Sequence, residues 1–224
     1  MSIVDYTPII VSLKLAFTTT FILLLFGIPL AWWLSQTKSK LKLIIESIIA
    51  LPLVLPPTVL GFYLLILMSP QSELGKFLST YNLAPLAFSF PGLVIGSIIY
   101  SMPFVIQPIQ NSFATIPYNQ LAAAKTLGAG PIDQFFSIVL PMSTTGIISA
   151  SILGFAHTIG EFGVVLMIGG NIPGSTKVLS IAIYDHVEAL QYEQAHILSG
   201  GLLLFSFLLL LVVFSINKKL RVVR

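Results

Sequence analysis

Five long apolar runs, each about 20 residues or more and almost free of charge, constrain this chain more than any other feature. They fall at roughly 9–34, 43–68, 90–109, 142–168 and 197–216. The runs are continuous and rich in Leu and Ile, with no apolar–polar alternation of the kind a β-barrel strand needs. A polypeptide crossing hydrocarbon must satisfy its backbone internally, so each run is predicted to be a helix. Composition agrees: charged residues make up 8% of the 224 and hydrophobic residues 56%. A soluble domain carries about 25% charged residues to solvate its surface. The predicted fold class is therefore an all-α membrane protein with about five transmembrane helices.

The basic residues set an orientation. Lys38, Lys40 and Lys42 follow the first run, Lys125 follows the third, and Lys218, Lys219, Arg221 and Arg224 follow the fifth. Eight of the 11 Lys and Arg residues thus fall on one side, and the other side carries most of the acidic ones. This predicts an external N-terminus, a cytoplasmic C-terminus, a cytoplasmic loop at 114–141 and an external segment at 169–196. No loop is long enough to fold alone. No internal repeat or cleavable leader is evident, and one membrane domain, with its core at about 12–215, accounts for residues 1–224. The net charge of +3 sits at the ends of membrane segments and signals no nucleic-acid partner; the lipid bilayer is the expected surround.

Several chemistries are missing. With no cysteine there is no thiolate site. No phosphate-binding Gly-Lys loop, nucleophile elbow or zinc-protease His pair occurs, so no enzyme is expected. His157, His186 and His196 lack ligand spacing, and neither a metal nor another cofactor is expected. A midplane carboxylate or histidine relay of the kind that couples ion flow to transport is also absent, so any transport must draw its energy from elsewhere. Glu161 is the one carboxylate well inside an apolar run. It lies about 28 Å along a helix counted from Met142, toward the outer face, where water or a partner is expected to satisfy it. Lys14 is expected to snorkel outward.

The loop around 121–141 reads as two short helices about a turn. Ala122, Ala123 and Ala124 form helix readily and leave a smooth face. Gly128 suits a helix C′ position of positive φ, and Pro131 and Pro141 suit helix starts. A smooth short helix of this type can dock in a groove of another protein. In the second run, Pro52, Pro56 and Pro57 remove backbone donors and predict a broken helix of the kind that lines a cavity or packs on protein. Gly61, Gly154, Gly160 and Gly163 are read as points of close helix approach.

These residues carry a resemblance. Ala123, Ala124, Gly128, Ile138, Leu140 and Pro141 match the loop of ABC-importer permeases that begins E-A-A and ends I-x-L-P, with Ala122 where that family usually has Glu. The run from Leu51 to Tyr63 is similar to the L-P-L-V-L-P-P-x-V-x-G segment of molybdate permease subunits. The Gly-Glu-Phe-Gly at 160–163 and the Asn-Ile-Pro-Gly-Ser-Thr at 171–176 resemble the same subfamily. The resemblance implies a type I ABC-importer permease fold, a homodimer, a cytoplasmic ABC ATPase dimer bound at 114–141 and an external oxyanion-binding protein. The implied cargo is molybdate or tungstate. A sulfate or thiosulfate permease is the near alternative, and a membrane scaffold or sensor that transports nothing is the distant one. Candidate gate or pathway residues are Pro56, Pro57, Ser149, Ser151, Thr158, Glu161, Asn171, Pro173 and Gly174. No cation is available there to hold a dianion, and an ionised Glu161 at 4 Å would repel each unit of negative charge by about 4 kcal/mol at an effective dielectric of 20. Glu161 and the external turn are therefore expected to form a gate, with Glu161 accepting N–H bonds from that turn and no direct part in selecting the anion.

Overall fold

The computed structural model describes residues 5–222, with side chains as far as 216. The described residues are helical with no strand. α1 (Thr7–Gln36) is one 30-residue helix, and α2 (Leu41–Ala50) follows it. A single 3₁₀ turn (Leu51–Leu53) leads to α3 (Pro57–Met68) and the short α4 (Glu73–Thr80). α5 (Phe90–Ala114) returns as a long helix. The loop holds α6 (Tyr118–Thr126) and α7 (Pro131–Gln134), then a π-helical turn (Phe135–Val139) and α8 (Leu140–Met142). Then come α9 (Thr144–Gly160), α10 (Gly163–Gly169), α11 (Leu179–Glu188) and α12 (Tyr192–Val222).

Among the described residues three helices, α1, α5 and α12, are long and apolar enough to cross a membrane by themselves. Two bent pairs pass the same test together, which brings the number to five if each pair is one span. The second predicted run is thus not a straight helix: its two halves bend by 112°. Prolines cause this. Pro56 is extended at ψ 137°, Pro57 opens α3, and neither has an N–H to continue the ladder from α2. The fourth run differs too. It was expected to continue to 168, but α9 stops at Gly160, Glu161 and Phe162 lie between helices, and α10 resumes at Gly163.

α5 is the central element, packing on α1, α9 and α10. One apolar layer gathers Leu15, Leu64, Leu93, Val164 and Ile168; a second, nearer the loop, gathers Leu34, Val105, Ile109, Phe113 and Val139. Small residues set the helix spacing. A Cβ on Gly154 would lie 2.3 Å from Val105 Cγ2, and one on Gly163 would lie 2.7 Å from Pro57 Cβ. Gly61 is similarly tight against Met167. Gly160, expected to serve the same purpose, has nothing within 4 Å; it is the last residue of α9 before the break. The outer surface is apolar along Phe17, Phe21 and Phe26 of α1, Phe62 and Tyr63 of α3, and Leu203, Phe207 and Phe214 of α12. Such a surface is stable against lipid and not against water.

Candidate functional site

Two regions hold the residues singled out above. The first is the loop. α6 buries no side chain. It ends in a Schellman turn: Ala129 N–H donates to Ala124 O at 3.0 Å and Gly128 N–H to Lys125 O at 3.0 Å. Gly128 sits at φ +89°, the left-handed conformation that the sequence reading assigned to it. Gln134 Nε2 then donates to Ala129 O at 2.8 Å, which folds α7 back on the turn. Between the two short helices lies a groove of about 350 Å³ with Ala124, Gly128 and Ile138 on its walls. Around it Leu127 is 89% exposed, Ile132 75% and Phe136 61%. Ala123 and Pro141 are exposed as well, and Ala122 and Leu140 half-buried.

The loop is anchored by residues the sequence reading passed over. Val139 is fully buried. Phe135 packs against both Trp32 of α1 (5.9 Å between centroids) and Phe113 of α5 (6.2 Å), and those two rings meet edge-on at 5.8 Å. One side of the segment is locked into the helix bundle while the other shows apolar side chains outward.

The second region is a cavity of about 600 Å³ where α3, α5, α9 and α10 meet. Pro57, Thr58, Tyr100, His157, Glu161 and Met167 line it. Glu161 was expected at a solvated outer end, held by N–H groups of the external turn. It is instead 3% exposed, and neither carboxylate oxygen has a hydrogen-bond partner. The helix break places it there: with α9 ending one residue earlier, its backbone is extended (ψ 131°) and the side chain turns into the bundle. Ser97 Oγ is likewise buried and unpaired.

Beside this carboxyl runs a chain of hydroxyls. Thr158 Oγ1 donates to Gly154 O at 2.9 Å, in the same helix. Its single proton is thereby used, so Ser101 Oγ donates to Thr158 Oγ1 at 3.0 Å. Ser101 has then also spent its proton, and the 3.0 Å contact with His157 is made by Nδ1–H donating to Ser101 Oγ. The order of donors thus assigns the histidine tautomer and leaves its Nε2 as an acceptor. Phe104 stacks on the imidazole at 3.9 Å. Of the three hydroxyl residues among the candidate pathway residues, Ser149, Ser151 and Thr158, Thr158 belongs to this cluster. Ser151 donates instead to Ile147 O and lines a different, apolar cavity with Phe17 and Phe155. Neither Ser149 nor Ser151 borders the Glu161 cavity. Pro56 caps α3 just before Pro57. The participants missed by the sequence reading are Ser97, Tyr100, Ser101 and His157; their signal is the i,i+4 pairing of Ser97 with Ser101 and of His157 with Glu161.

The turn carrying Asn171, Pro173 and Gly174 is tightly built. Gly170, Asn171 and Gly174 all have positive φ. Thr176, fully buried, donates its hydroxyl to Gly169 O at 2.6 Å and accepts from Ile172 N–H at 3.0 Å. Asn171 Nδ2 reaches both carboxylate oxygens of Asp185 at 3.0 Å, and Lys177 pairs with the same carboxylate at 2.5 Å. Burial works against the Asp185 charge, but the bonds from Lys177 and Asn171 and the Lys177 charge outweigh it and hold the carboxyl below its ordinary range. It is α11, the helix after the turn, that bonds to Glu161, and it does so at the backbone, where Ser180 Oγ donates to Glu161 O at 2.6 Å. Among the described residues no three His, Asp or Glu side chains come together as a metal site.

The chain is similar to the molybdenum transport system permease protein ModB of Azotobacter vinelandii, at 54% identity over 211 residues, which cover 94% of this chain and 93% of that one. Among solved structures, the inward-facing MetNI methionine ABC transporter matches with a TM-score of 0.73 at 16% identity, covering 97% of this chain and 94% of that one. A bacterial alginate ABC transporter, in complex with alginate pentasaccharide-bound periplasmic protein, matches with a TM-score of 0.68 at 20% identity, over 96% of this chain and 79% of that one. At such identities the structural likeness speaks for the fold, which is that of ABC-importer permeases. The family model described as "binding-protein-dependent transport system inner membrane component" matches residues 23–221. By that match and by the 54% identity along nearly its whole length, this chain belongs to the inner-membrane components of binding-protein-dependent transport systems.

Proposed function

We propose that this chain is the permease through which molybdate, and tungstate with it, enters the cytoplasm. The observation that carries the cargo is the 54% identity to a molybdenum permease along 94% of the chain. Two copies form the pathway, and an external oxyanion-binding protein delivers the anion. The N-terminus is outside, the C-terminus is in the cytoplasm, and residues 1–224 work as one membrane domain. An ABC ATPase dimer hydrolyses ATP on the inner face and docks on 114–141, where Leu127, Ile132 and Phe136 stand exposed around a groove on a firmly anchored base. Ala122 gives that contact no carboxylate, so the docking there is one of shape and apolar surface. The broken helices at Pro56–Pro57 and at Glu161, with the turn through Asn171, Pro173 and Gly174, form the outer gate. Selectivity resides mainly in the external protein, because a conduit must release what it admits.

The test is uptake of labelled molybdate, tungstate and sulfate into proteoliposomes holding the permease, its ATPase and its binding protein. ATP-dependent uptake of molybdate and tungstate with sulfate excluded is the expected result. Preferential sulfate uptake would reassign the cargo, and no uptake of any anion would leave a scaffold or sensor.

A further inference from the structure

The Glu161 cavity is rich in acceptors and poor in donors. Both Glu161 oxygens are without partners, and the donor chain from Thr158 through Ser101 leaves His157 Nε2 as an acceptor too. The hydroxyls of Thr58 and Tyr100 in the lining, and of Ser97 beside the carboxyl, are the uncharged donors at hand, and among the described residues no Lys or Arg borders the cavity. The one lysine inside a predicted span, Lys14, rests its ammonium 4.7 Å from the centre of the Phe90 ring. A buried carboxylate whose oxygens accept no hydrogen bond needs a positive charge beside it or on it. The same carboxyl, left bare, opposes a passing dianion.

We propose that the Glu161 cavity is a loading site for one small positive charge, a proton or an alkali cation, that occupies the carboxylate while the anion passes. The proposal rests on the transport reading above and deepens it: the cargo crosses a wall that has first been neutralised. The groups facing Glu161 are few. α5 presents Tyr100 and Ser97, and α9 presents His157. The lining residues of α3 and α10 carry no titratable group, and α11 donates from Ser180 to the Glu161 carbonyl and packs Tyr184 on the lining residue Phe162 at 5.0 Å between centroids. Glu161→Gln separates loading at this carboxyl from the titration of these neighbours.

Two measurements on the complete importer test this. In proteoliposomes, molybdate uptake is followed between about pH 6 and 9 with sodium, potassium or choline as the only added cation. Wild-type uptake is expected to rise either with acidity, which identifies the proton, or with alkali cation at constant pH, which identifies the metal ion. Glu161→Gln, neutral at every pH, is expected to lose that dependence. Uptake that is flat in both variables, or a Glu161→Gln variant that keeps the wild-type dependence, overturns the proposal. The second measurement needs no variant: labelling of wild-type Glu161 by dicyclohexylcarbodiimide, read by mass spectrometry. Labelling that grows with acidity, or that sodium or potassium suppresses relative to choline, supports the site; labelling indifferent to both refutes it. If the wild type carries no molybdate at all, the cargo assignment fails, while carbodiimide labelling still reports on the site.

Discussion

Ser180 donates its hydroxyl to the backbone carbonyl of Glu161 at 2.6 Å, across 19 residues of sequence. That bond joins α11 to the break between α9 and α10, at the residue whose side chain enters the cavity. A displacement of α11 is thereby felt by the Glu161 backbone, although neither carboxylate oxygen accepts a bond from it. Ser180→Ala removes one bond between uncharged groups, about 1 kcal/mol. Thermal stability is expected to change little, while ATP hydrolysis by the assembled complex becomes less dependent on the binding protein. Unchanged stimulation by the binding protein would show that the two regions are not coupled through this bond.

At Gly128 the effect of substitution is conformational. A Cβ there would meet nothing within 4 Å, so the cost of Gly128→Val comes from φ +89° and not from a clash. The Schellman turn is expected to open and α7 to lose its position, abolishing uptake while membrane insertion stays normal. The check is co-purification with the ATPase, which should be lost. Full uptake with the ATPase still bound would remove the loop from the docking role.

The bonds around Asp185 give the turn a defined pH response. A carboxyl held below its ordinary value contributes stability above that value and loses it as pH falls through the lowered one. Asp185→Asn is therefore expected to destabilise the protein at neutral pH by about 1–2 kcal/mol, with the difference from wild type shrinking as pH falls below about 4 and vanishing only beneath the lowered value. Melting in detergent across that range measures both. A penalty that persists undiminished in acid would mean that the carboxylate charge is not what holds Asn171 and Lys177.

Because the chain contains no cysteine, single-cysteine labelling reads the orientation without background. Ser175→Cys is expected to react with an impermeant maleimide added outside intact cells, and Thr126→Cys only after the membrane is opened. The reverse pattern would overturn the proposed topology.

The helices and the loop were legible because their signals are local. Apolar runs announce α1, α5 and α12, and the Gly128 turn follows from the few residues around it. Pro56 and Pro57 announced a break in the second run, although its 112° bend depends on how α3 packs against α10. The Glu161 environment was misread for a physical reason. A helix assumed straight to 168 carries position 161 outward, and nothing in Gly-Glu-Phe-Gly alone says that the helix stops at Gly160. Ser101 and Thr158 are 57 residues apart, and their meeting is a property of α5 packing on α9. Such contacts between distant positions leave only the faint trace of i,i+4 spacing on each helix.

Phe135 is wedged between Trp32 and Phe113, with Val139 sealed beneath. Close-packed interiors transmit strain and do not absorb it, because rings held on two sides have no free rotamer to yield into. The loop therefore acts as a stiff handle on α1 and α5 together. A push delivered to its outer face is thereby handed to the loop half of both helices as one piece.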